Sequence, residues 1–288
     1  MDYDVVDPDP QSALDKETRL GDWLRAQRSI AIGYSGGVDS AYLAAVAVAV
    51  LGAENVLAII GRSASYPESQ WAAARGLAGE LGLAVLEVDT DELNDPRYAA
   101  NPTNRCYFCK ADLWSKLVPI ARARDIDVVA DGTNADDLRG HRPGAQAARE
   151  NGVVSPLAMF EFSKAEIRQR SRARGLPTWA QPSSPCLSSR IPYGTPVTVG
   201  RLGRVDRAES ALRALGVAGD LRVRHFGALA RVELSPGELS RWSTPELRSR
   251  LETAVLATGY RRVELDPRGF RSGSLNEPSS PRATLSRD

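Results

Sequence analysis

An α/β protein, with a parallel doubly wound sheet followed by a smaller C-terminal α+β domain, is the fold class this sequence predicts. Three observations predict it. Short apolar runs alternate with helical patterns through residues 13–180. A glycine-bearing turn joins the first apolar run to the first long apolar helix. A Pro- and Ser-rich stretch, "QPSSPCLSSRIPYGTP" at 181–196, marks where the alternation stops.

Taken in order, residues 13–27 carry an amphipathic helical pattern that leads into the strand-like run "SIAIGY" at 29–34. A helix from Asp39 to Leu51 follows, stopped by Gly52. "NVLAII" (55–60) is the second strand, 68–81 a helix closed by Gly82, and "LAVLEV" (83–88) the third strand. Residues 110–123 read as a helix and "DVVA" (127–130) as the fourth strand. Ser163 and Glu166 have capping-box spacing and open a helix that ends near Gly175, with Pro177 beyond. After the Pro/Ser stretch come an arginine-rich helix (201–215), the strands "LRVRHF" and "LARVEL", a helix over 244–257 and the strand "RRVEL". The expected division is a disordered N-terminus (1–12), the α/β domain (13–180) and a cysteine-bearing loop (181–196). A small α+β domain for substrate binding or oligomerisation (197–275) and a disordered tail (276–288) complete it.

Composition excludes several classes. Hydrophobic residues at 42% and charged residues at 25% are ordinary for a soluble globular chain, and a net charge of +1 gives no global field for nucleic acid or membrane. "MDYDVVDPDPQS" lacks the basic-then-apolar pattern of a signal peptide, and "AYLAAVAVAVLG" is too short to span a bilayer. Three cysteines do not make a secreted disulfide framework, so a cytoplasmic location is expected. Lysine occurs only at Lys16, Lys110, Lys116 and Lys164, so anion binding must rely mainly on arginine.

"YSGGVDS" (34–40) lies between the first strand and its helix. Gly36 and Gly37 permit a tight turn, and its N–H groups and the helix N-terminus then face an anion. Ser35 and Ser40 add hydroxyls, and Asp39 can hold Mg2+ or the helix start. The pattern is neither a Walker loop nor a dinucleotide fingerprint. It resembles the S-G-G-x-D-S loop of the ATP pyrophosphatase (PP-loop) superfamily, which includes NAD and GMP synthetases and thiolation enzymes. That resemblance implies ATP binding and pyrophosphate release. Open α/β sheets place ligands at the carboxyl ends of their strands. Ser63 and Ser65 after the second strand are therefore placed to meet adenosine. "DGTNADD" (131–137) after the fourth offers Gly132, Asn134 and the carboxylates Asp131, Asp136 and Asp137, of which Asp136 joins Asp39 as a Mg2+ candidate.

"NPTNRCYFCK" (101–110) holds Cys106 and Cys109, and Cys186 lies far downstream in "PSSPCLSSRIPYG". Three Cys and two His make an awkward zinc site, though Cys106, Cys109, Cys186 and His225 would supply four ligands. A redox pair should start a helix, and the helix expected at 110 follows Cys109 directly. Three thiolates can also hold a [4Fe–4S] cluster with one iron open, or one thiol can act as nucleophile or sulfur donor. Flanking Arg105 and Lys110 favour thiolates over inert buried thiols.

"SGGVDS", "NPTNRCYFCK", "DGTNADD" with "RPG" (142–144), "LPTW" followed by "PCLSSRIPYG", and "LDPRGFRSGSLN" (265–276) together resemble the LarE family. Those are ATP-dependent sulfur transferases of nickel-pincer nucleotide synthesis, and the resemblance runs from about residue 25 to 276. It implies a pyridinium biscarboxylate mononucleotide as substrate, adenylation of a ring carboxylate, and displacement of AMP by sulfur to leave a thiocarboxylate. It also implies two sulfur routes. Either the cysteine matching Cys186 is consumed to dehydroalanine, or three cysteines hold a cluster whose open iron carries sulfide. The presence of Cys106 and Cys109 points to the cluster route. A substrate with a phosphate and two carboxylates calls for guanidinium clamps, for which Arg190, Arg224 and Arg271 are the candidates, with Arg222 beside them. His225 and Glu209 read as structural, Trp114 and Trp179 as packing residues, and a homo-oligomer is implied.

The rival readings are a tRNA thiolation enzyme, an ammonia-using synthetase of the NAD or GMP type, and an ATP sensor without turnover. Near-zero net charge and the lack of an RNA-binding module argue against the first. The second leaves the cysteines without a purpose.

Overall fold

The computed structural model describes residues 8–139, 142–182, 184–271 and Leu275. The tail expected at 276–288, most of "RSGS" and residues 1–7 lie outside the described residues. The chain divides into two compact units: Met1–Tyr98 with Thr103–Ser184, and Ala99–Pro102 with Pro185–Asp288.

The first unit runs α1 (Pro10–Arg25), β1 (Ile30–Gly33), α2 (Val38–Leu51), β2 (Val56–Arg62), α3 (Glu68–Glu80) and β3 (Ala84–Asp89). It continues through α4 (Pro96–Ala99), α5 (Arg105–Ala123), β4 (Val128–Ala130), α6 (Pro143–Glu150), α7 (Pro156–Met159) and α8 (Lys164–Ala173). Its four strands are all parallel, in the order β3-β2-β1-β4. Strand side chains alternate between faces. Ile30, Ile32, Ala58 and Ile60 enter one core with residues of α1, α2, α3 and α8, while Ala31, Leu57 and Ile59 enter a second with Trp114 and Leu117 of α5 and Ala147 of α6. Both faces are thus covered by helices, the doubly wound arrangement that the alternating sequence predicts.

Buried polar contacts tie the helices of the first face together. Glu17 on α1 accepts hydrogen bonds from Tyr42 of α2 (2.8 Å) and from Arg170 (2.9 Å) and Arg174 (2.7 Å) at and just after the end of α8. Burial alone would raise this carboxyl, but the two guanidinium groups and the phenol outweigh it and hold it at about 2. The capping box at α8 is complete: Ser163 Oγ accepts from Glu166 N–H, and Glu166 accepts from Ser163 N–H.

The second unit runs α9 (Val199–Ala214), β5 (Leu221–Phe226), β6 (Leu229–Leu234), α10 (Pro236–Trp242), α11 (Pro245–Leu256) and β7 (Arg262–Leu265). β5 and β6 form an antiparallel hairpin, and β7 adds parallel to β6. Its own core is built from Leu212, Val223, Val232, Trp242 and Leu251. The short segment Ala99–Pro102 belongs here because Asn101, fully buried at φ +56°, donates its amide to the Ile191, Pro192 and Thr195 carbonyls.

Two sequence expectations need correction. α5 starts at Arg105 rather than at 110, and its Asn104 cap makes no side-chain hydrogen bond, so no capping signal announces it. α6 and α10 were not expected; each opens with Pro in its first turn, which reads equally well as a loop.

Candidate functional site

The glycine loop sits at the carboxyl end of β1. Gly36 holds φ +65°, and a Cβ there would lie 2.4 Å from the Ala74 Cβ, so glycine is required both by conformation and by packing on α3. Ser40 Oγ accepts the Ser35 N–H at 3.2 Å and donates to the Gly37 carbonyl at 3.2 Å, while Ser35 Oγ lies 3.2 Å from Ser40 Oγ. Gly37 caps α2 without any side-chain bond, which leaves the first N–H groups of that 14-residue helix directed at the loop's concave side. Such an end favours an anion. Gly132, after β4, comes so near the start of α2 that a Cβ would lie 2.9 Å from Ser40 N.

Asp39 lies on the first turn of α2. Asn134 donates to its Oδ1 at 3.3 Å, and Lys164 Nζ reaches its Oδ2 at 2.5 Å. The Lys164 backbone N–H donates to Asp136 Oδ2 at 2.7 Å. Lys164 therefore joins the two carboxylates that the sequence offers for Mg2+. Sequence reasoning missed it, although it is one of only four lysines and directly follows the capping Ser163. Asp131 is bound within its own turn, accepting from Thr133 and from Ser155 Oγ (2.7 Å), and Asp137 pairs with Arg142 at 2.7 Å.

At the end of β2, Ser63 Oγ lies 2.7 Å from Ser65 Oγ, and Ser65 Oγ donates to Glu92 Oε1 at 3.1 Å. Glu92 follows β3 and is 1% exposed; its Oε2 has no hydrogen-bond partner. Tyr66 donates to the Ser35 carbonyl at 2.9 Å, tying this turn to the glycine loop. Burial, with Tyr34 adding to it, pushes the Tyr66 phenol well above its usual value. Neither Tyr66 nor Glu92 carries a sequence signal, because their roles come from burial and from bonds between separate strand ends.

Cys106 and Cys109 fall inside the opening turns of α5 and not ahead of it. They are one helical turn apart on one face, the first exposed and the second half-buried, and neither is in a disulfide. Cys186 belongs to the second unit, half-buried and free, at the start of a 3-10 turn over Leu187–Arg190. Among the described residues no group of three or more His, Cys, Asp or Glu side chains is placed to hold a metal ion.

In the second unit, Arg190 is 2% exposed. Its guanidinium grips Glu209 through two bonds of 2.9 Å and donates to the carbonyls of Pro185 (2.5 Å) and Cys186 (3.2 Å). Arg224, also buried, pairs with Glu233 at 2.8 Å and donates to the Ser189 carbonyl at 3.0 Å. Arg222, 5% exposed, stacks over Phe270 at 4.9 Å and donates to the Leu221 carbonyl. Burial first, and then repulsion from the neighbouring Arg190, pull Arg222 down to about 10. Arg190, Arg222 and Arg224 thus gather with Glu209 and Glu233 beside the Cys186 turn. Arg271 is half-buried, donates to the Gly269 carbonyl at 3.0 Å and lies 3.8 Å from Asp266. His225 is buried against Tyr260 (3.1 Å), a structural role.

Known proteins agree with this geometry. Residues 23–105, which include the glycine loop, match the NAD synthase family model. An uncharacterized protein from Synechocystis is 46% identical over 245 residues, 85% of this chain and 91% of the relative. The pyridinium-3,5-bisthiocarboxylic acid mononucleotide synthase of Lactiplantibacillus plantarum is 33% identical over 262 residues, 91% of this chain and 94% of that enzyme. An uncharacterized protein from Methanocaldococcus jannaschii is 30% identical over 211 residues, 72% of this chain and 78% of the relative. Among the described residues, no helix is long and apolar enough to cross a membrane.

Proposed function

The chain belongs to the LarE family, and on that premise we propose that it uses ATP to convert a ring carboxylate of a pyridinium biscarboxylate mononucleotide into a thiocarboxylate. A carboxylate resists nucleophiles because its negative charge repels them and oxide is a poor leaving group. Adenylation supplies a leaving group: the carboxylate attacks the α-phosphorus, pyrophosphate departs, and AMP is displaced in the sulfur step. The loop over Ser35–Ser40 binds the phosphates, with Ser63, Gly132 and Asn134 along the same sheet edge. Phosphate oxygens give the Lys164 ammonium a second partner, which would release Asp39, with Asp136, to hold Mg2+.

The observation that carries this reading is the placement of Cys186 with the guanidinium cluster in one unit. Arg190 fixes the Cys186 carbonyl, and Arg222 lies beside it in the same guanidinium cluster, the chemistry that suits a substrate bearing a phosphate and two carboxylates. Arg224 and Arg271 are the further anion partners. The donor set also suits a [4Fe–4S] cluster: three thiols free of disulfides, two of them one turn apart on α5. When held by Cys106, Cys109 and Cys186, such a cluster would supply sulfide at its open iron and spare the protein.

A second sulfur source is Cys186 itself, favoured by its partial exposure. Its thiolate would displace AMP to form a thioester. Loss of the Cα proton would then drive cleavage of the Cβ–S bond, leaving dehydroalanine in the chain and sulfur on the substrate. Anaerobic incubation with ATP and the biscarboxylate tests all of this. The expected result is AMP, pyrophosphate and thiocarboxylate, from a protein that contains iron and keeps its mass. Loss of the mass of hydrogen sulfide at Cys186 would replace the cluster with the sacrificial route. No AMP or pyrophosphate from the carboxylate would falsify the proposal, and salt-sensitive tRNA retention would favour RNA thiolation instead.

A further inference from the structure

The bonds around Ser63 have a fixed direction. The Ser65 hydroxyl donates to Glu92 Oε1 at 3.1 Å, a carboxyl oxygen that accepts. Ser65 Oγ then cannot donate to Ser63, and the 2.7 Å bond between the two hydroxyls must run from Ser63 to Ser65. Ser63 Oγ also accepts the Ser65 N–H at 3.1 Å. Its one proton is spent and one lone pair remains. Ser63 is half-buried, whereas Ser65 and Glu92 are buried behind it. Towards a ligand the Ser63 hydroxyl therefore offers an acceptor and no donor.

The turn lies where a nucleotide would cross. It ends β2, the strand beside β1, and the Tyr66 hydroxyl bonds it to the Ser35 carbonyl of the glycine loop. We propose that the Ser63–Ser65–Glu92 chain fixes Ser63 as a hydrogen-bond acceptor that selects a donor on the adenosine half of ATP. Ser63 is the specificity-determining residue, and Ser65 and Glu92 are positioning residues that act through it. The inference rests on the proposed ATP chemistry. Adenosine carries donors of two kinds, the exocyclic amine of the base and the ribose hydroxyls, and the test separates them.

Binding is measured by calorimetry on the full chain with ATP, with ITP, which replaces the amine by a carbonyl, and with 2′-deoxy-ATP and 3′-deoxy-ATP. The wild type should bind one class of analogue about ten- to a hundredfold more weakly than ATP, because a fixed acceptor then meets another acceptor or nothing. Ser65→Ala frees the Ser63 hydroxyl to turn its proton outward, so that preference should shrink to within about threefold while the other analogues are unaffected. Glu92→Leu should behave in the same way. Glu92→Gln can still present an amide oxygen to Ser65, so it should restore most of the preference, a rescue that a merely structural role would not give. Should Glu92→Leu fail to fold, Ser65→Ala carries the comparison alone. An unchanged preference in Ser65→Ala, or a wild type with no preference, overturns the inference, as does absence of ATP binding. If discrimination follows the pattern but no pyrophosphate forms with the carboxylate, the inference stands and the proposed reaction falls.

Discussion

On the proposed function, the two units would meet negative charge by opposite means. In the first, the anion-facing surface is backbone: a glycine turn and an uncapped helix start, with a single ammonium, Lys164, already resting on Asp39. In the second, it is side chain: Arg190, Arg222 and Arg224, all buried, are held by Glu209, Glu233 and carbonyl oxygens. Backbone N–H groups cost nothing extra to present, so the loop can stand ready without compensation. A buried guanidinium must be paired, so the second unit carries its counter-ions with it. On the proposed function, anion binding would rest on backbone geometry in the first unit and on internal ion pairing in the second.

The sharpest way to test that division is Cys186→Ala. Thiocarboxylate formation should fall by at least about a thousandfold, while pyrophosphate still forms from the carboxylate and AMP appears only as water hydrolyses the acyl adenylate. Loss of both together would mean that the units do not share the labour in this way. Next in size is Glu209→Ala, which leaves Arg190, 2% exposed, with its carboxylate partner removed. Stability of the second unit should drop by about 3–5 kcal/mol, read as faster amide exchange in β5 and β6, with ATP binding unchanged.

Acid should separate the units as well. Burial first, then Arg201 and Arg204, hold His225 at about 4, below its ordinary 6.5. The unfolded chain takes up that proton first, so this contribution is complete above pH 6.5 and is lost as pH falls towards 4, worth about 3 kcal/mol at most. Glu17, in the first unit, is held at about 2 against an ordinary 4.5, so its contribution persists down to pH 4.5 and is lost only below it. At pH 5 the second unit should therefore exchange its amides faster than the first, and His225→Gln should flatten the difference. Equal exchange in both units at that pH would break the comparison. The smallest expected effect is Gly36→Ala. Its φ of +65° and the close Ala74 Cβ cost about 1–3 kcal/mol, seen as ATP binding weakened by roughly ten- to a hundredfold with the second unit unaffected.

Much of the first unit could be read from the chain. Apolar runs bounded by Gly52 and Gly82 mark strands and helices because each element carries its own periodicity and its own stop. "SGGVDS" marks the loop because its glycines answer a local steric demand. α5 escaped correct placement because it opens without a side-chain cap, and its true start moves both cysteines into the helix. The partners of Arg190 and Arg224 were also hidden. In so arginine-rich a chain, nothing in sequence separates a solvated guanidinium from a buried one until the strands pair.

The sequence by itself determined the doubly wound sheet, the phosphate-type loop and the supply of three thiols, because these depend on local pattern and residue chemistry. Only the tertiary structure decided that Lys164 lies on Asp39, that Glu209 holds Arg190, and that Ser65 donates to Glu92. Each of those is a bond between residues distant in sequence, formed where separate elements bury polar groups that must then find partners.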